Sequence, residues 1–115
     1  MKIAPMLARI AIATLAMTSF AYAATPEELI RPIQEQWAEI KYKAPEKQQE
    51  EGYNKLAQQA RKVAEQNPGV AEVLIWEGIV LSSEAGAKGG LGALGLAKEA
   101  RAKLEEAMKL NDKAL

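Results

Sequence analysis

The segments VAEVLIWEGIVLSSE (residues 70–84), AGAKGGLGALG (85–95) and LAKEARAKLEEAMKLND (96–112) decide the fold of this chain. The first segment is apolar on nearly every side, whereas the third places its apolar and charged residues on opposite faces of a helix. A helix that is apolar all round has to be covered by neighbours on several sides. Helix, glycine-rich loop and helix therefore predict one unit of a stacked helical repeat, an architecture that usually binds other proteins.

The remaining pattern predicts four helices in all and no convincing strand, so the expected fold class is all-α. The first helix begins after Thr25, which can cap it, with Pro26 at the first helical position and Glu28 completing a capping box. Pro32 lies inside the pattern and is expected to kink this helix or delay its start. The helix ends before Pro45. The other three helices are predicted over residues 46–66, 70–83 and 96–110.

The N-terminal residues have the three parts of a secretory signal peptide. Lys2 and Arg9 accompany the apolar run IAIATLAM (residues 10–17), and the small residues Ala21 and Ala23 suit a signal peptidase. A membrane anchor is the alternative, but the apolar run is shorter than the roughly 20 residues that a span needs. We therefore expect cleavage after Ala23, which removes residues 1–23 and leaves a periplasmic or secreted domain.

The composition argues against several classes of function. The chain contains no Cys and no His, so it lacks a thiol nucleophile, a histidine general base and the usual zinc ligands. Basic and acidic residues number 15 each, and no basic patch stands out, so nucleic acid is not an expected partner. We expect no enzymatic activity, no catalytic residue, no cofactor and no metal site.

The two halves of the predicted domain, residues 24–68 and 69–112, end alike, in Asn-Pro and in Asn-Asp. The spacing of these endings exceeds the period of about 34 residues of a tetratricopeptide repeat by about ten residues, roughly the length of the glycine-rich run. Five residues match small and apolar positions of that repeat: Leu74, Gly78, Ala100, Leu104 and Ala107. The chain thus resembles the tetratricopeptide repeat (TPR) family. Its glycine-rich run is also similar to that of a poorly characterised group of exported bacterial TPR proteins.

The resemblance implies antiparallel helical hairpins of a TPR-like α-solenoid, with about two repeats and a glycine-rich insert at residues 85–95. Two positions depart from the family's pattern, because Glu77 stands where Leu is usual and Asp112 replaces the closing Pro. Two repeats without a polar capping helix would leave apolar ends exposed. We therefore expect a truncated piece of a longer repeat protein, or a module that assembles with itself or with a partner through those ends.

The resemblance also implies where a partner would bind. In TPR proteins the first helix of each repeat lines a concave groove, which holds an extended peptide or a partner helix. In this chain the groove residues would lie on the third predicted helix. They are Glu72, Ile75, Ile79, Ser82 and Ser83.

Residues 90–95, GLGALG, fit the GxGxxG pattern of dinucleotide-binding loops. That motif needs a preceding buried strand, and residues 83–89 do not have the pattern of one. We therefore favour an ordered connector whose leucines pack against the helices. An anion site at the start of the fourth predicted helix, with Lys88 nearby, stays open as an alternative.

Two further groups of residues have both a functional and a structural interpretation. Trp37 and Trp76 could anchor a partner, but both lie on apolar stripes, so packing in the core is favoured. The acidic pairs at residues 27–28 and 50–51 could indicate glycoside chemistry. Adjacent residues face different sides of a helix, so a solvated surface is favoured for these pairs.

The combined interpretation is an exported, non-enzymatic, TPR-like scaffold that mediates protein–protein contacts. The alternative is a periplasmic small-ligand-binding accessory protein of a transport system. A protein partner whose capture depends on Glu72 and Ser82 would favour the scaffold. A thermal shift caused by a metabolite, with no protein partner, would favour the alternative.

Overall fold

The structure, a computed structural model, describes residues 24–114. These residues form four α-helices and no strand: α1 (Pro26–Lys43), α2 (Glu46–Gln66), α3 (Ala71–Lys88) and α4 (Gly92–Leu110). The prediction of an all-α fold is confirmed for this part of the chain. None of the four helices is long and apolar enough to cross a lipid bilayer. The predicted signal peptide lies outside the described residues.

Thr25 fixes the start of α1 through the predicted capping box. Its backbone N–H donates to the Glu28 carboxylate (2.9 Å), and its Oγ1 accepts a hydrogen bond from the Glu28 backbone N–H (3.1 Å). These bonds, the backbone one first, lower the pKa of Glu28 because they favour the ionised carboxylate. The cap starts the helix at Pro26 and the helix continues through Pro32. Of the two effects predicted for Pro32, a kink or a delayed start, the delayed start is therefore wrong.

Side-chain amides bind backbone carbonyl groups at the ends of α1 and α2. Gln49 Nε2 donates to the carbonyl oxygens of Ile40 and Ala44, each at 3.2 Å, and so satisfies acceptors at the end of α1. Asn67 Nδ2 donates to the carbonyl oxygen of Val63 (2.9 Å) at the end of α2. Gly69 then turns the chain with a φ of 87°, a conformation that favours glycine.

Helix α3 is the centre of the fold, because it contacts each of the other three helices. Val80 and Leu81 of α3 are fully buried in an apolar cluster that includes Ile33 of α1 and Leu56 of α2. A second apolar cluster joins α3 to Ala107 of α4. The prediction that this apolar helix is covered on several sides is confirmed.

Gly78 lets α4 approach the middle of α3 closely. A Cβ atom at Gly78 would lie 2.9 Å from Leu104 Cγ and 3.2 Å from the Ala100 carbonyl oxygen. A glycine inside a helix costs about 1 kcal/mol relative to alanine. The space that Leu104 occupies accounts for this glycine.

The connector within the glycine-rich run is shorter than predicted. Helices α3 and α4 extend into the run from both sides, so only Gly89, Gly90 and Leu91 lie between them. Gly89 (φ 68°) and Gly90 (φ 67°) adopt left-handed conformations. The other glycines of the run are separated by alanine and leucine, which are good helix formers. These glycines therefore lie in helical turns. The prediction of a loop over residues 85–95 is therefore wrong at both ends.

The leucines of this run are arranged differently from the prediction. Leu91 is 92% exposed and Leu94 is 55% exposed, whereas Leu96 packs against the core cluster. A short turn provides no spare chain that could fold back over the helices. The prediction that all three leucines pack against the helices is correct for Leu96 alone.

Candidate binding sites

Three aromatic side chains, Trp37, Tyr42 and Trp76, meet where α1 contacts α3, and we call them the aromatic cluster. The ring centroid of Trp37 lies 5.9 Å from that of Trp76 and 6.2 Å from that of Tyr42, both edge to face. Lys41 Nζ lies 5.6 Å from the Trp37 centroid. Both tryptophans are half-buried, and Tyr42 is 71% exposed. The cluster therefore has one side on the core and one side in solvent.

A hydrogen-bond chain holds Trp37 against α3. Trp37 Nε1 donates to Ser83 Oγ (2.8 Å), and Ser83 Oγ donates to the carbonyl oxygen of Ile79 (2.9 Å). The indole N–H is partly buried and needs an acceptor, which Ser83 supplies. This chain fixes the orientation of the Trp37 ring relative to α3.

The five residues predicted to bind a partner share one face of α3: Glu72, Ile75, Ile79, Ser82 and Ser83. Of these, Ser82 is exposed, Ile75 is buried, and the other three are half-buried. Trp76, which the sequence assigned to the core, lies on the same face and packs against both apolar clusters. One part of the Trp76 side chain therefore belongs to the core, as predicted. The rest of it connects this face of α3 to Trp37 of the aromatic cluster.

A second candidate site is a cavity of about 230 Å³ beside the turn that joins α2 to α3. We call it the charged pocket, because six of its lining residues are ionisable: Arg61, Glu65, Glu77, Glu99, Lys103 and Glu106. Ala64, Pro68 and Leu74 form an apolar part of the wall. Carboxylates outnumber cations in the lining, so the pocket has an excess of negative charge.

Arg61 and Glu99 form a two-pronged ion pair that joins α2 to α4 across the pocket. Arg61 Nε donates to Glu99 Oε2 (3.2 Å), and Nη2 donates to Glu99 Oε1 (3.0 Å). Bidentate pairs of this kind are among the strongest polar contacts in proteins. The hydrogen bonds raise the pKa of the Arg61 guanidinium. The side-chain hydrogen bonds of both partners are therefore made to each other.

Glu77 is the most unusual member of the pocket, because its side chain is only 1% exposed. Its Oε2 lies 3.7 Å from Lys103 Nζ, and its Oε1 has no hydrogen-bond partner among the described residues. Burial raises the pKa of Glu77, and the charges of Lys103 and Arg61 oppose this effect. The sequence identified Glu77 only as a departure from the TPR pattern, not as a site residue.

Glu84, one heptad after Glu77 on α3, is a second buried carboxyl group. Its Oε2 accepts a hydrogen bond from Asn54 Nδ2 (2.8 Å), while Oε1 has no partner in the described part of the chain. Sequence reasoning missed both glutamates as buried groups. Their spacing of seven residues within an apolar helix is the signal that could have found them, because it places them on one face.

The acidic pairs predicted to lie on a solvated surface are dispersed in the structure. Glu28 caps α1, Glu50 lies 3.6 Å from Lys88, and Glu51 lies 3.8 Å from Lys55. Within the described helices, no three acidic side chains are grouped so that they could hold a metal ion. The surface and capping interpretations therefore fit these residues better than glycoside chemistry does.

The GxGxxG pattern at residues 90–95 follows helix α3, not a strand. It thus lacks the structural context of a dinucleotide site, which supports the connector interpretation. Lys88, the cation of the alternative anion site, has its Nζ 3.6 Å from the Glu50 carboxylate, and its stem lies against Gly92. Glu50 would therefore compete with an anion for Lys88.

No family model, curated protein or solved structure matches this chain. The resemblance to tetratricopeptide repeats accordingly depends on the residues of the chain itself. Function has to be inferred from the chemistry of the aromatic cluster and of the charged pocket.

Proposed function

We propose that this chain is an exported, TPR-like helical module that binds a segment of another protein and has no enzymatic activity. The observation that carries the proposal is the aromatic cluster, whose rings face solvent on one side and adjoin the α3 face that holds Ser82 and Ser83. Aromatic residues at the centre of such a surface frequently dominate the binding energy of protein interfaces.

The cluster is suited to binding because its rings are held in place before a partner arrives. Trp37 is oriented by Ser83 on α3 and by its edge contacts with Trp76 and Tyr42. Rigid aromatic side chains offer a large apolar area and lose little conformational entropy on binding. A partner would therefore meet a surface that needs little reorganisation.

The chemistry of the cluster indicates what kind of segment it would select. The half-exposed rings would accept an apolar or aromatic side chain of the partner. Lys41, close to the rings of both Trp37 and Tyr42, would attract a neighbouring carboxylate. We therefore infer an extended peptide in which an apolar residue stands next to an acidic one.

The order of helix contacts supports the TPR-like part of the proposal. Each helix contacts the next one in the chain, and α1 also contacts α3. In a stack of helical hairpins the first helices of successive repeats are neighbours, which is the relationship between α1 and α3. The close fit of Gly78 against Leu104 agrees with the small and large residues that a TPR hairpin places at its centre.

Tryptophan fluorescence offers a direct test of the binding surface, because both tryptophans of the chain belong to the aromatic cluster. Peptides would be selected from a displayed random library on the purified protein and then titrated while the emission is recorded. We expect an apolar–acidic motif among the selected peptides and a saturable change in emission. The Tyr42→Ala variant should bind these peptides about tenfold more weakly or worse.

Leu94→Ala is the matched control for Tyr42→Ala. Leu94 is also an exposed apolar residue, but it lies on α4, which does not contact α1. Its loss should leave peptide affinity unchanged. Equal affinities of the wild type and Tyr42→Ala would show that the aromatic cluster is not the binding surface.

Export is tested separately, by expressing the full chain in a Gram-negative host and separating periplasm from cytoplasm. The periplasmic protein should begin at Ala24, the residue after the predicted cleavage site. An uncleaved chain in the membrane fraction would support the anchor instead. A chain that stays in the cytoplasm would contradict export and leave the peptide-binding proposal unaffected.

A further inference from the structure

A buried hydrogen-bond acceptor of the charged pocket has no partner in the described part of the chain. Glu77 Oε1 has no hydrogen-bond partner among residues 24–114, although the side chain is only 1% exposed. Glu77 lines the charged pocket. Buried polar atoms are nearly always paired, so the unpaired oxygen of this side chain indicates a missing donor. Lys103 does not fill this role, because its Nζ lies 3.7 Å from Oε2, beyond hydrogen-bond distance.

The charges around Glu77 favour a cationic donor over a neutral one. The lining contains two cations, and one of them, Arg61, is hydrogen-bonded to Glu99. Glu65 and Glu106 add two further carboxylates to the pocket. A cation entering the pocket would therefore be attracted by more negative than positive charge.

The lining residues and the volume of the pocket favour an organic cation over a metal ion. The described acidic residues are not grouped so that three of them could coordinate one ion. A cavity of about 230 Å³ can instead hold an ammonium group and several methylene groups. Ala64, Pro68 and Leu74 supply the apolar wall that such methylene groups would contact.

We propose that the charged pocket binds the ammonium group of an alkyl amine, with Glu77 Oε1 as the acceptor. The amine is either a free alkyl diamine or the side chain of a lysine in a peptide, since both present the same chemistry. The ammonium donates to Glu77 Oε1, its methylene groups lie against Leu74 and Pro68, and Lys103 swings towards solvent. Lys103 is able to move because its side chain is already partly exposed. This site is distinct from the aromatic cluster and does not depend on the peptide-binding proposal.

Calorimetric titration of the purified protein tests the site with two amines and a neutral control. The probes are 1,5-diaminopentane, N-acetyl-lysine amide and 1,5-pentanediol, at constant ionic strength. We expect saturable binding of at least one amine and none of the diol. Preference for the diamine would identify a free amine as the ligand, and preference for the lysine derivative would identify a peptide side chain. Absence of saturable binding by both amines, or equal binding of the diol, would overturn the proposal.

Two variants assign the binding to Glu77. Glu77→Gln keeps the shape of the side chain but removes its charge, so amine affinity should fall about tenfold or more. Glu84→Gln is the matched control, because Glu84 is the other buried glutamate of α3 and lies outside the charged pocket. Equal losses in the two variants would indicate non-specific attraction and would contradict the site.

Lys103→Met provides a second, independent measurement in case Glu77→Gln does not fold. Methionine keeps most of the apolar stem of Lys103 and removes the cation that competes for Glu77. Amine affinity should therefore rise several-fold in this variant. An unchanged or weaker affinity would contradict the proposed role of Glu77, since Lys103 is its nearest cation.

Discussion

The Nζ atom of Lys103 on α4 lies 3.7 Å from Oε2 of Glu77 on α3, and Glu77 is buried while Lys103 is partly exposed. This asymmetry determines the energetics of the pair. The carboxylate loses its hydration, whereas the ammonium keeps part of its own and makes no short hydrogen bond in return. We therefore expect Glu77 to lower the stability of the fold.

Replacing Glu77 by Leu should stabilise the protein by about 1–2 kcal/mol, because a buried carboxylate gives way to an apolar side chain of similar volume. Leucine is also the residue that the TPR pattern expects at this position. Urea unfolding followed by circular dichroism measures the difference in the free energy of unfolding. A variant that is less stable than the wild type would show that Glu77 contributes favourable interactions beyond its weak contact with Lys103.

The buried carboxyl of Glu77 should also make stability depend on pH. Its pKa is raised above the ordinary value of 4.5, so the folded state holds this proton more tightly than the unfolded state does. The contribution of protonated Glu77 to the free energy of unfolding is complete below pH 4.5. It is lost as the pH rises through the folded-state pKa, because the buried group then becomes charged. The stability of Glu77→Gln relative to the wild type should therefore increase as the pH rises above 4.5. If the free energy of unfolding changed equally with pH in the wild type and in Glu77→Gln, the raised pKa of Glu77 would be contradicted.

Two glycines of α3 should respond to alanine in opposite directions. A Cβ at Gly78 would meet Leu104 Cγ at 2.9 Å, so Gly78→Ala should destabilise the protein by about 1–3 kcal/mol despite its better helix propensity. At Gly86 a Cβ would meet nothing within 4 Å, so Gly86→Ala should stabilise it by about 0.5–1 kcal/mol. Thermal and urea unfolding of both variants provide the comparison. Stabilisation by both would mean that α4 does not approach α3 as closely as described.

The parts of the fold that the sequence predicted well are those that local chemistry determines. The capping box of Thr25 and Glu28 forms as predicted, because both residues lie within one helical turn. Helix α2 has the predicted bounds, 46–66, since Pro45 precedes it and an Asn-Pro-Gly turn follows it. Neither feature depends on residues distant in the chain.

The parts that the sequence could not predict depend on contacts between helices. The local pattern of the glycine-rich run predicts a loop. In the structure α3 and α4 extend into the run from both sides, and Ala85 is buried there. The local pattern shows Glu77 as a polar residue in an apolar helix, whereas its burial depends on how the other helices pack against α3. The predicted groove residues share one face of α3, but periodicity alone could not tell that Ile75 is buried and Ser82 exposed.

The hydrogen bond from Trp37 Nε1 to Ser83 Oγ should stabilise the contact between α1 and α3. Ser83→Ala leaves the partly buried indole N–H without its acceptor and should lower the free energy of unfolding by about 1 kcal/mol. The tryptophan emission spectrum of the folded protein should change as well, because the environment of Trp37 changes. Ser82→Ala is the matched control, since Ser82 is the exposed neighbour on the same helix. It should leave both stability and emission unchanged.

If Ser83→Ala and Ser82→Ala had equal effects, the fixed orientation of Trp37 could not be attributed to Ser83. The comparison also bears on the proposed peptide binding, because a binding surface gains affinity when its side chains are held in place beforehand. Ser83→Ala should therefore weaken peptide affinity mainly by freeing the Trp37 ring, without removing any apolar surface. A variant that loses stability but keeps full affinity would show that the orientation of Trp37 matters for folding and not for recognition.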